Sequence, residues 1–182
     1  MGGVDKLLLP VAGGIPLLAD RIKAASATGQ PVYVALPGRE QAAARWACLD
    51  GFQAQGVAIS NPDKGLSASL KGGLAALPGT TQAALILPAD MPDITTNDMR
   101  SVLQAFVAGK VARGCNASGK PGHPVLIPAD WFDKLSDISG DVGARDLLRA
   151  ATDQILVPLP ASHAHCDLDT PEDWINWRAG IR

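Results

Sequence analysis

Three aspartates follow apolar segments of the sequence at positions where carboxylates could bind a metal ion. Asp90 lies at the end of the apolar segment 83–89, and Asp167 and Asp169 are two residues apart near the end of another segment. Side chains two apart on extended backbone point to the same side. If that side meets Asp90, three carboxylates converge, as they do where proteins hold Mg²⁺ together with bound phosphates. The spacing therefore predicts a metal site that handles a phosphate ester.

The opening of the chain could supply positive charge to such a site. Gly2 and Gly3 precede Lys6, and glycines let backbone N–H groups approach a phosphate while a lysine contributes charge. The spacing does not match GxxxxGKS, which excludes a nucleotide-binding P-loop. The pattern thus predicts phosphate binding without identifying the ligand.

Two junctions between predicted elements also carry polar side chains. NPDKGLSASLKGGL joins a strand to a helix whose first turn holds Gly65, Ser67 and Ser69. Neither serine lies in GxSxG, and no histidine is obviously paired with them, so a serine hydrolase is not supported. GKPGHPVLIP joins two strands through a glycine-rich turn that holds His123. His163, His165 and Cys166 lie close together in the sequence. A zinc site normally needs a fourth spaced ligand, and none is evident, so a zinc site is not supported.

Several other acidic residues have structural interpretations. The sequence TPED beginning at Thr170 is a typical helix start, with a threonine cap, proline at the first position and acids in the first turn, so Asp173 is predicted to be structural. Thr95 and Asp98 form a second capping arrangement. Asp141, which precedes a predicted helix, is more often a cap than a catalyst in that position.

Strands and helices alternate along the sequence and predict the architecture that must position these residues. Predicted strands lie at 31–36, 57–60, 83–87, 111–116, 124–127 and 154–159, with a further one at 163–168. Predicted helices lie at 15–27, 39–48, 66–77, 97–107, 131–135 and 144–151, with another from residue 171. This order implies right-handed crossovers and one α/β domain over residues 1–182, a three-layer, doubly wound and mainly parallel sheet. In such a sheet the ligand binds beyond the carboxyl ends of the strands.

Composition excludes several function classes. With 16 Lys and Arg against 18 Asp and Glu the chain lacks a broad basic face, and aromatic residues make up only 4%, so nucleic acid is not an expected partner. No apolar run approaches the roughly 20 residues that span a bilayer. Three widely spaced cysteines do not suggest a disulfide framework. We expect a cytoplasmic protein with no membrane partner.

Taken in order, these motifs resemble the molybdenum-cofactor cytidylyltransferases of the MobA-like NTP transferase family, within the wider group of nucleotide-sugar and methylerythritol cytidylyltransferase-like enzymes. MGGVDKLLLPVAGGIPLL is similar to the second half of the family pattern LAAGxSxRMGxxKxLLPxxGxPLL, and LPADMP to LxxDMP. NPDKGLSASLKGGL is similar to NPxxxxGLSxSLxxGL, and GKPGHPVLIP to GxxGHPxLF. SGDVGARDLL resembles GDxGARxLL, and CDLDTPEDW resembles DxDTPEDL. The GLSxSL and GDxGAR elements favour the cytidylyltransferase branch over the guanylyltransferase branch.

The resemblance implies a Rossmann-like fold of the nucleotide-diphospho-sugar transferase type and a nucleotidyltransferase activity. CMP would pass from CTP to molybdopterin or its molybdenum form with release of pyrophosphate, and a molybdoenzyme could receive the product. It also implies roles for particular residues. Mg²⁺ would be held by Asp90 and Asp169, with Asp167 as a possible helper. The nucleotide would contact Gly2, Gly3, Lys6, Asn61, Gly65, Ser67 and Ser69, with Lys6 and Asp90 as the catalytic pair. The pterin would face His123, Asp141 and Arg145.

The sequence departs from the family pattern at its beginning, because the LAAGxSxR half does not precede Met1. The first strand of the sheet is therefore missing from the pattern. We expect about 15–20 further N-terminal residues, or another segment or subunit, to fill its place. Two other functions stay open: a nucleotidyltransferase that uses GTP or another phosphorylated acceptor, such as a sugar phosphate or methylerythritol phosphate, and a catalytically silent protein that binds the molybdenum cofactor.

Overall fold

Short apolar strands alternate with helices in the computed structural model, which describes residues 4–62, 65–136, 148, 151 and 153–180. The strands are β1 (Val32–Pro37), β2 (Ala54–Ile59), β3 (Ala83–Ile86), β4 (Ala112–Cys115), β5 (Pro121–Pro128) and β6 (Ile155–Pro158). The α-helices are α1 (Leu17–Ser26), α2 (Ala43–Ala47), α3 (Leu66–Ala75), α4 (Thr96–Gln104), α5 (Phe132–Ser136) and α6 (Pro171–Arg178). Single 3₁₀ turns occupy Lys6–Leu8, Ala12–Gly14 and Ala129–Trp131. Within these residues no helix is long and apolar enough to cross a bilayer.

The strands form two sheets, and the predicted α/β class is confirmed. β1 and β2 pair in parallel, while the larger sheet has the order β3-β5-β4-β6, in which β4 and β6 are parallel. β5 runs antiparallel to both of its neighbours. Only residues 116–120 connect β4 to β5, and a parallel crossover needs a dozen or more residues, so this connection can only be a hairpin.

The same helices cover both sheets, although within the described residues no ladder of hydrogen bonds joins the sheets. Leu70 of α3 packs in one apolar cluster with Ala84 and Ile86 of β3, and α3 also contacts β1 and β2. Ala24 of α1 packs near Leu85 of β3, while other residues of α1 pack against β1. In the part of the chain that is described, β1 and β3 therefore each pair along one edge only.

The two strands that face each other across the gap between the sheets, β1 and β3, are only partly covered. All four residues of β3 are only half-buried, as are five of the six in β1. Central strands of such sheets are normally buried on both faces.

Two predicted elements differ from the structure, and a third cannot be compared with it. The helix predicted at 39–48 is shortened to α2 because the carbonyl of Gly38 accepts the N–H groups of Gln41 and Ala42, which forms a turn first. The strand predicted at 163–168 is wrong: residues 161–165 form turns, since the Pro160 carbonyl accepts the N–H of His163. The helix predicted at 144–151 falls almost entirely outside the described residues.

Both predicted capping arrangements are confirmed. Thr95 accepts the N–H of Asp98 at 3.1 Å, and the Asp98 carboxylate accepts the N–H of Thr95 at 2.8 Å. Thr170 and Asp173 exchange the same two bonds at 3.1 and 2.7 Å, and hydrogen bonds from Thr170 lower the pKa of Asp173. His163 lies 2.8 Å from Asp98, so this histidine supports a helix cap.

Candidate functional site

Two carboxylates that are far apart in the sequence converge on one ammonium group. Nζ of Lys6 donates to Oδ2 of Asp90 at 2.8 Å and to Oδ1 of Asp169 at 2.7 Å. Asp90 follows the carboxyl end of β3, and its side chain is 25% exposed, against 63% for Asp169. The cluster therefore combines a sheltered carboxylate with one that is open to solvent.

The segment that carries Asp169 is anchored on both sides of this residue. The N–H of Leu168 donates to the carbonyl of Asp90 at 3.0 Å, and the buried Leu168 side chain packs against Leu17 and Trp174. The N–H of Asp169 donates to Asp173 at 3.1 Å, so the cap of α6 continues into the cluster. Backbone bonds thus fix the position of Asp169 despite its exposure.

The Lys6 ammonium stays charged in this setting. Burial opposes the charged form, yet hydrogen bonds with Asp169 and Asp90 outweigh burial and raise the pKa of Lys6 above its usual value. At neutral pH one positive charge therefore faces two carboxylates.

The donor set fits a hard divalent cation. Asp90 and Asp169 already direct one oxygen each at the same cationic group, and carboxylate oxygens are the ligands that Mg²⁺ and Mn²⁺ prefer. A cluster of three metal-binding side chains is not formed among the described residues. Asp167 is exposed, as Asp169 is, with the buried Leu168 between them. Its helper role stays a prediction.

A second ion pair, which the sequence did not reveal, holds the turn that presents Lys6. Asp5 caps this 3₁₀ turn by accepting the N–H of Leu7 at 3.1 Å. Arg45 of α2 donates two hydrogen bonds to the same carboxylate, from Nε to Oδ2 at 2.7 Å and from Nη2 to Oδ1 at 2.9 Å. The cap could have been inferred from an aspartate before a short turn, but nothing in the sequence pattern indicates Arg45.

The residues predicted to contact the nucleotide lie around the carboxyl end of β2. Asn61 follows this strand, and Gly65 precedes α3 with a φ of 80°, a backbone conformation that favours glycine. Ser67 is buried in the first turn of α3, and Ser69, two residues further on, is half-buried. Gly2, Gly3, Asp141 and Arg145 lie outside the described residues, so their roles stay predictions.

A cavity of about 460 Å³ opens at the carboxyl ends of β1 and β2. It is lined by Asp5, Leu8, Pro37, Gln41, Arg45 and Pro62 among others. Asp5 and Pro62 adjoin Lys6 and Asn61 in the chain, although neither Lys6 nor Asn61 lines the cavity.

His123 lies near the start of β5, on the other side of the site. Burial, followed by the positive charge of Arg113, lowers its pKa to about 4, although Asp90 opposes this shift. The imidazole is therefore neutral at pH 7. Its Nδ1 atom is buried and makes no hydrogen bond within the described structure.

Gly122 permits the close backbone contact that places His123. The N–H of His123 donates to the carbonyl of Ala164 at 2.9 Å, and a Cβ at Gly122 would lie 2.1 Å from that oxygen.

We expect Gly122→Ala to destabilise the fold by about 1–3 kcal/mol, because backbone must move to relieve the overlap. Thermal unfolding measures the loss. Gly73→Ala is the control, since a Cβ there meets nothing within 4 Å and a helical alanine is favourable; equal melting temperatures for both variants would contradict the expectation.

Comparison with known proteins gives one family and a consistent fold. A family model described as MobA-like NTP transferase domain matches residues 1–155. No curated protein matches the sequence significantly.

Three solved structures illustrate the shared fold. Rv0371c from Mycobacterium tuberculosis H37Rv is 22% identical with a TM-score of 0.80, and covers 98% of this chain and 89% of its own; it has also been solved in complex with manganese. A nucleotidyl transferase from Methanothermobacter thermautotroptrophicus is 23% identical with a TM-score of 0.80, over 98% and 85% of the two chains. A CMP:2-keto-3-deoxy-manno-octonic acid synthetase complexed with CTP is 15% identical with a TM-score of 0.74, over 97% and 91%. At these identities the likeness shows the fold.

Proposed function

This chain belongs to the MobA-like NTP transferase domain family, and we propose on that premise that it transfers CMP from CTP to molybdopterin or its molybdenum form in the cytoplasm. Membership of this family makes the chain a nucleotidyltransferase. The observation that carries the proposal is the convergence of Asp90 and Asp169 on Lys6 at the carboxyl end of β3.

The chemistry requires little covalent participation by the protein. A phosphate oxygen of the acceptor attacks the α-phosphorus of CTP, the bond from that phosphorus to the bridging oxygen of the β-phosphate breaks, and pyrophosphate leaves with the electron pair. Such a transfer depends on positioning and on neutralising charge. Lys6 would neutralise the departing pyrophosphate, a role supported by the Asp5–Arg45 pair that holds its turn.

Asp90 and Asp169 would hold a divalent metal ion, for which we propose Mg²⁺. When bound, the ion would supply positive charge that stabilises the negative charge developed on the phosphates during transfer. Rv0371c was solved with manganese, which supports a divalent ion in this fold.

The choice of CTP and the choice of molybdopterin are supported by different observations. CTP is favoured by the GLSxSL segment, of which Ser67 and Ser69 are part, and by the structurally similar synthetase that was solved with CTP. Molybdopterin is favoured by the order of the motifs along the chain. The same fold similarity supports one alternative, a cytidylyltransferase that acts on another phosphorylated acceptor.

A transfer assay tests the proposal. The full chain is incubated with Mg²⁺, molybdopterin and either CTP or GTP, and pyrophosphate is measured together with the nucleotidylated product. We expect product with CTP and at least about tenfold less with GTP. Product with GTP alone would overturn the choice of nucleotide. Binding of molybdopterin without product under any condition would instead support a silent carrier.

A further inference from the structure

Arg113 lies on the same edge of the larger sheet as the carboxylate cluster. β3 and β4 both run antiparallel to β5, so they run parallel to each other and end at the edge where β5 begins. This edge carries Asp90 after β3, His123 at the start of β5 and Arg113 in β4. Neighbouring strands lie roughly 4.8 Å apart. Because β5 lies between β4 and β3, the backbone of Arg113 is two such spacings from β3, the strand that precedes Asp90.

Arg113 and His123 are neighbours where β4 pairs with β5. Arg113 is paired with Val125 in this ladder, whose register shifts between Arg113 and Cys115. The Nε atom of Arg113 donates to the carbonyl of Gly122, the residue before His123. The charge of Arg113 also acts on the His123 ring.

The guanidinium of Arg113 is half-buried and has unused hydrogen-bonding capacity. Its Nε donates to the carbonyl of Gly122 at 3.1 Å, whereas the two terminal amino groups meet no acceptor in the described ranges. Burial lowers the pKa of Arg113, and no carboxylate there compensates. A sheltered charge without a counter-charge is costly. The neighbouring Nδ1 of His123 is likewise buried without a partner.

We propose that Arg113 binds the phosphate group of the acceptor, which then enters from the β4 side of the site. This inference rests on the proposed function. A guanidinium with two free amino groups matches two phosphate oxygens in a bidentate pair, and the neutral His123 adds a polar partner without further charge. The cavity beside Lys6 lies toward β1 and β2. The nucleotide and the acceptor then reach Asp90 from opposite sides, as in-line displacement requires.

Binding of methyl phosphate, measured by calorimetry on the full chain without nucleotide, tests this assignment separately from turnover. We expect Arg113→Gln to weaken the affinity at least about tenfold, the effect of losing a charge-assisted pair. Arg100→Gln is the control, because Arg100 lies on α4 and donates to the carbonyl of Ala27; its affinity should stay within about twofold of the unmodified chain.

A kinetic measurement separates binding from structural support. With the acceptor that the transfer assay identifies, Arg113→Gln should raise the KM for the acceptor at least about tenfold and leave the KM for CTP within about twofold. If this variant does not fold, Arg113→Lys carries the same tests, with a smaller loss of about three- to tenfold because the charge remains and the bidentate geometry is lost. Methyl phosphate affinity that no folded Arg113 variant changes, or that the unmodified chain lacks, would overturn the assignment. Failure of CTP-dependent transfer alone would overturn only the proposed function.

Discussion

Replacing Asp90 with asparagine is expected to lower the rate of pyrophosphate release by a factor of about 10³ or more. The substitution keeps the size of the side chain but removes the charge of the sheltered carboxylate in the cluster, which bonds to Lys6 at 2.8 Å. The metal ion would then keep only the largely exposed Asp169. Steady-state turnover at saturating Mg²⁺ and CTP measures the effect.

Asp153→Asn is a suitable control for this experiment. It removes an exposed carboxylate that pairs with Lys110 at 2.6 Å, away from the cluster, and surface pairs of this kind contribute at most about 1 kcal/mol. Its turnover should match that of the unmodified chain. A folded Asp90→Asn variant with a near-normal rate would show that Asp90 only holds the Lys6 turn in place.

Removing divalent metal with EDTA is expected to abolish measurable binding of CTP. Without the ion, a triphosphate meets one ammonium group and two carboxylates, so the local charge is negative and repels the ligand. Calorimetric titration with and without Mg²⁺ measures the difference. CTP binding with equal affinity in EDTA would contradict the metal assignment.

The Asp90→Asn variant sharpens this second test. In EDTA it carries one ammonium group and one carboxylate, so it should bind CTP more tightly than the unmodified chain does in EDTA. With Mg²⁺ the order should reverse. Repulsion by carboxylates predicts this reversal, whereas a general loss of stability would weaken binding under both conditions.

Local patterns made parts of the fold predictable. β3 and the aspartate beyond it followed from one apolar segment that ends in a polar residue, and the caps at Thr95 and Thr170 followed from three-residue spacings. The convergence of Asp90 and Asp169 was expected because the sequence predicts that both follow strands that end at one edge, whereas in the structure a backbone hydrogen bond from Leu168 to Asp90 brings the second aspartate to the first. The strand expected at 163–168 was wrong because alternation there reflects one buried leucine between exposed acids, and a ladder needs a neighbouring strand.

Other parts of the site depend on contacts that no local pattern encodes. Arg45 reaches Asp5 across 40 positions, and the exposed face of a short alanine-rich helix offers many equivalent positions for an arginine. Arg113 is the charged residue of the otherwise uncharged strand β4. A charged residue there is equally typical of a strand at the edge of a sheet, so the sequence does not indicate a binding role. Only the antiparallel pairing of β5 brings it beside His123, and this pairing was not evident from a predominantly parallel pattern.

The single-sided pairing of β1 and β3 bears on how copies of this chain behave in concentrated solution. Open strand edges present rows of N–H and C=O groups that can template pairing between molecules. Natural edges are often protected by lysine, proline or a bulge, whereas β1 reads VYVAL before its final proline and β3 reads AALI. The helices α1 and α3 cover the faces of these strands, and among the described residues no further strand pairs with the second edge of either. Concentrated stocks are therefore expected to form cross-β aggregates, detectable by thioflavin fluorescence, and an added peptide that pairs with these edges should suppress them.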